Sequence, residues 1–108
     1  MSQIIRVIIP AYNEEQSIAK VINDIPQIVS EIIVVDNNSN DFTSKEAKDA
    51  GATVIHEKRL GYGYACLKGL EFICNNNYTT DIVVFFFFFY SDYPEELVKI
   101  MNLIIYRI

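Results

Sequence analysis

Polar residues that could bind a ligand follow directly after short apolar runs in four places. They lie at residues 10–14, 36–41, 57–63 and 91–92. Apolar runs this short and this rich in Val and Ile are typical of buried strands. Because parallel strands bring their carboxyl ends to one edge of an open α/β sheet, where ligands bind, the sequence predicts a small-molecule site there, for a nucleotide.

Asp36 is the sharpest candidate in these clusters. It directly follows Val34 and Val35, and its carboxylate could accept hydrogen bonds from a base N–H or from ribose hydroxyls. An Asx turn or a helix cap that serves the following loop would explain the same residue. Polar residues are common in strand-to-helix loops, so one cluster by itself is weak evidence.

The first cluster offers two further candidates. Glu14 could hold ribose hydroxyls, or it could complement the dipole of the helix that follows. Tyr12 could pack on a base, or it could be an aromatic residue at the edge of the core. The turn at residues 10–14 lacks the Gly-x-Gly-x-x-Gly pattern, which argues against a dinucleotide oxidoreductase.

The third cluster is suited to an anion. Gly61 and Gly63 would let backbone amides approach a ligand at a helix start, where the helix dipole favours negative charge. Lys58 and Arg59 add positive charge beside them. A flexible strand-to-helix turn would explain a lone Gly-x-Gly equally well. His56 lies within a strand pattern without a partner in sequence, and we interpret it as structural.

The elements that must position these residues alternate along the chain. Strands are predicted at residues 4–9, 31–35, 53–56 and 82–88, and helices at residues 15–25, 43–50, 64–74 and from residue 92 onward. The second helix is expected to open with a Thr43/Glu46 capping box and to end at Gly51. The pattern predicts an α/β fold with a parallel, doubly wound sheet of about four strands.

The last predicted helix presents one apolar face and reaches the chain end without a glycine cap. That face comprises Leu97, Val98, Met101, Ile104 and Ile105. We therefore expect residues 1–108 to form a single, truncated domain.

Composition narrows the class of partner and the compartment. The net charge of −5 argues against a nucleic-acid binder, which would carry basic patches. Cys66 and Cys74 are separated by about 12 Å along one predicted helix, too far for a disulfide. The N-terminal residues lack the basic, then apolar, then small-residue order of a signal peptide, and the apolar run at residues 82–90 is too short to span a bilayer. A cytoplasmic location is expected.

Residues 7–15, 33–41, 59–69 and 81–97 together resemble the nucleotide-sugar-binding half of family 2 glycosyltransferases. Within that family they look most like the dolichyl-phosphate mannose synthase and polyprenyl-phosphate glucose synthase type. The resemblance implies a Rossmann-like GT-A half-domain. It also implies inverting transfer of a sugar from a nucleoside diphosphate sugar to an acceptor, such as a polyprenyl phosphate at a membrane surface or a glycan.

The same resemblance implies which residues hold the donor. Those expected around the nucleoside are Pro10, Ala11, Tyr12, Glu14, Asp36 and Asn38. Arg59, Gly61 and Gly63 would lie near the diphosphate.

The chain departs from the family pattern after the fourth strand. The family has Asp-x-Asp there, which holds a divalent metal, Mg²⁺ or Mn²⁺, whereas this chain has Phe87 and Phe89 within a run of phenylalanines at residues 85–89. A phenyl ring offers no oxygen ligand, so no metal ligand is assigned and transfer is expected to be impaired. Natural divergence and an altered stretch of sequence would both produce such a run. If the run is natural, an exposed apolar patch is expected at the site edge.

The general base is not assigned, because in the family it comes from the C-terminal half, which we expect this chain to lack. Two alternatives to an enzyme stay open. One is a non-catalytic fragment that binds a nucleotide or nucleotide sugar, and the other is an interaction module built on the aromatic patch.

Overall fold

The computed structural model describes residues 3–76 and 79–88 in full and the backbone of residues 102–107. In chain order the elements are β1 Ile5–Ala11, α1 Ile18–Asp24, β2 Glu31–Asp36, α2 Thr43–Asp49, β3 Thr53–His56, α3 Tyr62–Asn75, β4 Ile82–Phe87 and β5 Asn102–Arg107. The sheet order is β3-β2-β1-β4-β5. The first four strands are parallel, which confirms the predicted α/β fold and its Rossmann-like sheet.

The two faces of the sheet pack against different helices. One buried cluster joins β1 and β2 to α1 and α2, and it includes Val7, Ile9, Ala11, Val34, Ile18, Val21, Ile22 and Ala47. The other joins the sheet to α3, and it includes Ile8, Ile33, Val35, Val83, Phe85, Ala65 and Ile73. The strand order reverses between β1 and β4, so the crevice above these two strands is where a doubly wound sheet binds ligands.

The prediction of a helix at the chain end is wrong where the structure describes it. Residues 102–107 form β5, which pairs antiparallel with β4. Leu103, Ile104 and Ile105 are an apolar run too short for periodicity to distinguish helix from strand. Pairing with β4 satisfies backbone groups that would otherwise lie at a sheet edge. Residues 92–101, with the predicted start of the helix, lie outside the described part of the chain.

Two predicted helix starts also differ from the structure. α1 begins at Ile18 rather than at residue 15, and residues 15–17 form a turn in which the amides of Ser17 and Ile18 donate to the Glu14 carbonyl at 3.1 and 2.9 Å. The Thr43/Glu46 capping box is absent, since Phe42 occupies the N-cap and the Thr43 hydroxyl donates to Asp41 instead. Gly51 ends α2 as predicted, with a φ of +101°.

α3 begins at Tyr62, two residues before its predicted start, and lies close against β1. A methyl group added at Gly69 would come within 2.7 Å of Ile8 Cγ2, so this glycine sets the distance between helix and sheet. Both cysteines are free thiols, as predicted, and burial raises the pKa of the Cys66 thiol. Within the described residues, no helix has the length and apolar character needed to cross a bilayer.

The described phenylalanines of β4 pack into the core on both sides of the sheet. Phe85 and Phe88 are buried, and Phe86 and Phe87 are half-buried against the two clusters. This confirms the expected burial of the strand on both faces, because successive side chains point to opposite faces. The expected exposed patch is therefore not formed by residues 85–88. Phe89 lies outside the described residues.

Candidate functional site

The ends of three strands bring the predicted polar clusters together. Ala11 is the register partner of Asp36, and Asp36 is the partner of His56. The loops that follow, at residues 12–17, 37–42 and 57–61, therefore share one edge of the sheet. The fourth cluster, at residues 91–92, lies outside the described residues.

The loops at residues 12–17 and 37–42, which we name the cross-linked loops, are joined by hydrogen bonds to backbone amides. The Asn13 amide donates to Ser39 Oγ at 2.8 Å, and the Asn40 amide donates to Asn13 Oδ1 at 2.8 Å. Asn13 and Asn38 have φ of +50° and +66°, a conformation that asparagine tolerates better than most residues. Local polar side chains thus satisfy the backbone of both turns.

Carboxylates complete the cross-linking. The Phe42 amide donates to Glu15 Oε2 at 3.0 Å, and the Glu15 amide donates to Asp41 Oδ2 at 3.4 Å. The Glu14 amide donates to Thr43 Oγ1 at 2.9 Å. Because the amides of Glu14 and Glu15, just before α1, already have partners, they are not open to an approaching phosphate.

Both carboxylate oxygens of Asp36 are engaged, one by its own loop and one by Ser44 of α2. Oδ1 accepts the Ser39 amide at 2.9 Å, which is the Asx turn considered above, and Oδ2 accepts the Ser44 hydroxyl. His56 Nε2 lies 3.1 Å from the same Ser44 hydroxyl, in agreement with a structural role. Each carboxylate oxygen has two lone pairs, so Asp36 retains capacity for a further donor.

The side chain of Glu14 lines an acidic cleft. Burial raises the pKa of Glu14, while the hydroxyl of Ser17, 3.0 Å from Glu14 Oε2, lowers it and the charge of Asp41 raises it further. The cleft has a volume of about 200 Å³ and is lined by Asn13, Glu14, Glu15, Gln16 and Asp41. Its carboxylates would repel a diphosphate.

The loop at residues 57–61, which we name the β3–α3 loop, carries the positive charge of the edge. Arg59 Nη2 donates to Glu57 Oε1 at 2.8 Å, and its Nε donates to Oε2 at 3.2 Å. The guanidinium also lies 4.4 Å from the centroid of the Tyr64 ring. These hydrogen bonds hold the pKa of Glu57 at about 2 and raise the pKa of Arg59. The Arg59 side chain is half-exposed, so part of its guanidinium group remains accessible to a ligand.

The remaining predicted site residues differ in how accessible they are to a ligand. Pro10 and Ala11 are buried, and the Ala11 carbonyl accepts the Asn37 amide at 2.8 Å. Tyr12, at 40% exposure, lies open at the edge, and Asn38 is exposed. Gly61 has a φ of +127°, and a methyl group on Gly63 would meet nothing within 4 Å.

Two residues at this edge were missed by the sequence reasoning. Asn37 is buried and hydrogen-bonds the β3–α3 loop. Tyr62 packs against Phe87, with ring centroids 5.7 Å apart, and burial and the charge of Glu14 raise the pKa of its phenol. Side-chain alternation could have found Asn37, because it follows Ile33 and Val35 on the face that α3 covers.

Comparison with known proteins decides the family. The family model described as "Glycosyl transferase family 2" matches residues 6–93, which include every described loop of this edge. The chain belongs to glycosyl transferase family 2. The resemblance inferred from the sequence motifs is thereby confirmed at the level of the family.

Relatives of this family 2 chain include the protein RfbJ of Shigella flexneri, 58% identical over 61 residues, which are 55% of this chain and 47% of RfbJ. The 4,4'-diaponeurosporenoate glycosyltransferase of Staphylococcus aureus is 35% identical over 78 residues, covering 65% of this chain and 21% of that enzyme. The chain thus spans less than half the length of these relatives.

Solved structures give the same assignment. The glucosyl-3-phosphoglycerate synthase of Mycobacterium tuberculosis, in complex with Mn²⁺, UDP-glucose and phosphoglyceric acid, matches with a TM-score of 0.66 and 34% identity. The match covers 79% of this chain and 33% of the synthase. The same enzyme has been solved with Mg²⁺ and UDP, with a TM-score of 0.63. The GT-A fold of this family 2 chain is therefore shown.

The described residues at the end of β4 do not fit the metal that these neighbours bind. At the end of β4, where the family has the first Asp of Asp-x-Asp, Phe87 packs its ring on Tyr62. Phenyl rings provide none of the oxygen ligands that Mg²⁺ and Mn²⁺ require. Among the described residues, no group of three His, Cys, Asp or Glu side chains is arranged to hold a metal ion.

Proposed function

We propose that this chain binds a nucleoside diphosphate sugar at the carboxyl edge of its sheet, as the donor domain of an inverting glycosyltransferase. The acceptor class is a polyprenyl phosphate or a glycan, and the former would place the protein in the cytoplasm at the membrane surface. The observation that carries the proposal is the convergence of three polar loops at one edge within a family 2 fold. The UDP-glucose complex of the M. tuberculosis synthase supports it.

The electrostatics of the edge support an orientation for the donor. The cross-linked loops present carboxylates and hydroxyls, which suit the base and ribose, whereas the β3–α3 loop presents the Arg59 guanidinium, which suits the diphosphate. In this orientation Tyr12 packs on the base, Glu14 and Asp36 accept its donors and those of the ribose, and Asn38 lies beside them. Pro10 and Ala11 contribute backbone shape, and Gly63 leaves room beside the diphosphate.

A second candidate function is nucleotide-sugar binding without transfer. The observation that favours it is the Tyr62–Phe87 ring contact at the first Asp-x-Asp position. Without metal ligands, charge that develops on the leaving diphosphate lacks a stabilisation typically worth several kcal/mol. We propose that transfer by this chain is impaired for that reason, and that residues 1–108 contribute one donor domain.

The test is a thermal-shift titration with UDP, GDP and their sugars, each with and without Mn²⁺. A ligand that binds the folded state raises the midpoint of unfolding. We expect a shift that is selective for one nucleotide and indifferent to Mn²⁺. No shift from a protein that melts cooperatively would contradict nucleotide binding. A shift enhanced by Mn²⁺ would contradict the interpretation of Phe87.

A matched variant sharpens the metal question. Phe87→Asp combined with Phe89→Asp restores both carboxylates of the family pattern, and the control is Phe87→Asn combined with Phe89→Asn. We expect Mn²⁺ to strengthen UDP binding to the Asp variant alone, measured by calorimetry. An Asp variant that melts cooperatively, binds UDP and ignores Mn²⁺ would show that loss of the carboxylates does not explain metal independence.

A further inference from the structure

Asn37 occupies a position from which one side chain reaches three backbone groups of the β3–α3 loop. Its Nδ2 donates to the Glu57 carbonyl at 3.1 Å and to the Arg59 carbonyl at 2.7 Å. Its Oδ1 accepts the Gly61 amide at 2.9 Å. The side chain is 2% exposed, so these bonds form away from water. Buried amides with such complete pairing define one local conformation.

The main chain of Arg59 is held on both sides by this arrangement. Its amide donates to Glu57 Oε2 at 2.8 Å, and its carbonyl accepts Asn37 Nδ2. The Glu57 amide in turn donates to the Asp36 carbonyl at 3.0 Å, and the Asn37 amide donates to the Ala11 carbonyl at 2.8 Å. The backbone of Arg59, from which its side chain extends, is thus connected through Asn37 to the ends of β1 and β2.

The pairing also changes how the β3–α3 loop can meet an anion. The Gly61 amide, which the sequence offered to a diphosphate, already donates to Asn37 Oδ1. The loop therefore presents the Arg59 guanidinium rather than the Gly61 amide as its donor. Where that guanidinium lies relative to the nucleoside loops depends on the geometry that Asn37 sets.

We propose that Asn37 is a positioning residue for the diphosphate of the donor, acting through Arg59. The inference rests on the proposed function, because it assumes that Arg59 meets the diphosphate. The positioning role requires asparagine rather than aspartate at position 37, since two of the three hydrogen bonds need an N–H donor and a carboxylate has none.

The test is Asn37→Asp, which retains the size and the acceptor of the side chain but removes both donors and faces two carbonyl oxygens. Asn23→Asp, on the exposed surface of α1, is the control for the same chemical change. Binding of UDP and of uridine is measured by NMR titration for each variant, after cooperative melting has been verified. If N37D does not melt cooperatively, Asn37→Ser replaces it, because a hydroxyl still donates to one carbonyl.

We expect N37D to weaken UDP binding by about tenfold or more and uridine binding by less than about threefold, with N23D changing neither. In an Arg59→Ala background, N37D should weaken UDP binding by less than about threefold, since the group it positions is gone. Equal losses for UDP and uridine, or a loss undiminished in that background, would show a role in the fold alone. GDP and guanosine serve in the same way if the wild type prefers guanine. A wild type that binds neither nucleotide overturns the proposed function together with this inference, whereas the other outcomes separate them.

Discussion

The cross-linked loops and the β3–α3 loop share one edge of the sheet but are organised in opposite ways. In the cross-linked loops, short polar side chains bind backbone amides of the neighbouring loop, as Asn13 and Glu15 do. In the β3–α3 loop, the buried side chain of Asn37, the residue after β2, holds the backbone, and the Arg59 side chain is 55% exposed. The first arrangement fixes a surface of oxygen atoms, while the second presents a charge that can meet an anion.

This difference is the reason why we do not propose a phosphate site at the start of α1. In dinucleotide-binding folds the first strand-to-helix turn binds the phosphates through free amides. Here the amides of Glu14 and Glu15 donate to side chains of the facing loop, and carboxylates line the cleft beside them. We therefore propose that the diphosphate approaches the other end of the edge, where Arg59 lies.

The largest expected effect tests the rigidity of the cross-linked loops. Thr43 is fully buried, and its hydroxyl accepts the Glu14 amide and donates to Asp41. Thr43→Val keeps the shape but leaves that amide unpaired, so we expect the free energy of unfolding to fall by about 1–3 kcal/mol in urea titrations. Thr79→Val, at an exposed position, is the control. A loss below about 0.5 kcal/mol for Thr43→Val would mean that this cross-link contributes little.

The next effect tests the charge of the β3–α3 loop. Arg59→Ala removes the guanidinium, and we expect UDP affinity measured by calorimetry to fall about tenfold, because hydrogen bonds to charged groups are strong. The midpoint of unfolding is measured in parallel, because Arg59→Ala also removes a hydrogen-bond partner from the buried carboxylate of Glu57. Lys48→Ala, at an exposed position of α2, controls for the loss of one positive charge. Unchanged affinity would remove Arg59 from the site.

The smallest effect is the pH dependence of the same loop. The side-chain and backbone hydrogen bonds of Arg59 lower the pKa of Glu57 from 4.5 to about 2. A lowered folded-state pKa contributes stability above the unfolded value, and that contribution is lost as the pH falls through about 2. The difference in unfolding free energy between the wild type and Glu57→Gln should therefore narrow from pH 6.5 to pH 2.5. Glu46→Gln, on α2, is the control, and a constant difference for Glu57→Gln would contradict this pairing.

Much of the sheet was predictable because its signals are local. Runs such as Ile33 to Val35 are apolar, β-branched and bounded by polar residues, so the presence of the strands and their succession along the chain follow from the sequence pattern. The C-terminal strand was not predictable, because Leu103 to Ile105 fits a helix or a strand equally well. Pairing with β4 decided between them.

In the candidate site, too, the sequence predicted the features that local patterns indicate but not the contacts between distant segments. The sequence placed Tyr12, Glu14, Asp36 and Arg59 at strand ends, and the structure brings their loops to one edge. It did not indicate that Asn37 rather than Asn38 reaches the β3–α3 loop. Such pairings join residues that are far apart in sequence, and no periodicity reports them.

The sequence by itself determined the family and the parallel sheet, because residue type and spacing suffice for each. Only the tertiary structure decided which polar groups remain available to a ligand. A backbone amide has one hydrogen to donate, so it is closed to a ligand once it is paired, and pairing depends on the distance between loops. At this edge those distances direct the amides of Glu14 and Gly61 inward and leave the guanidinium of Arg59 at the surface.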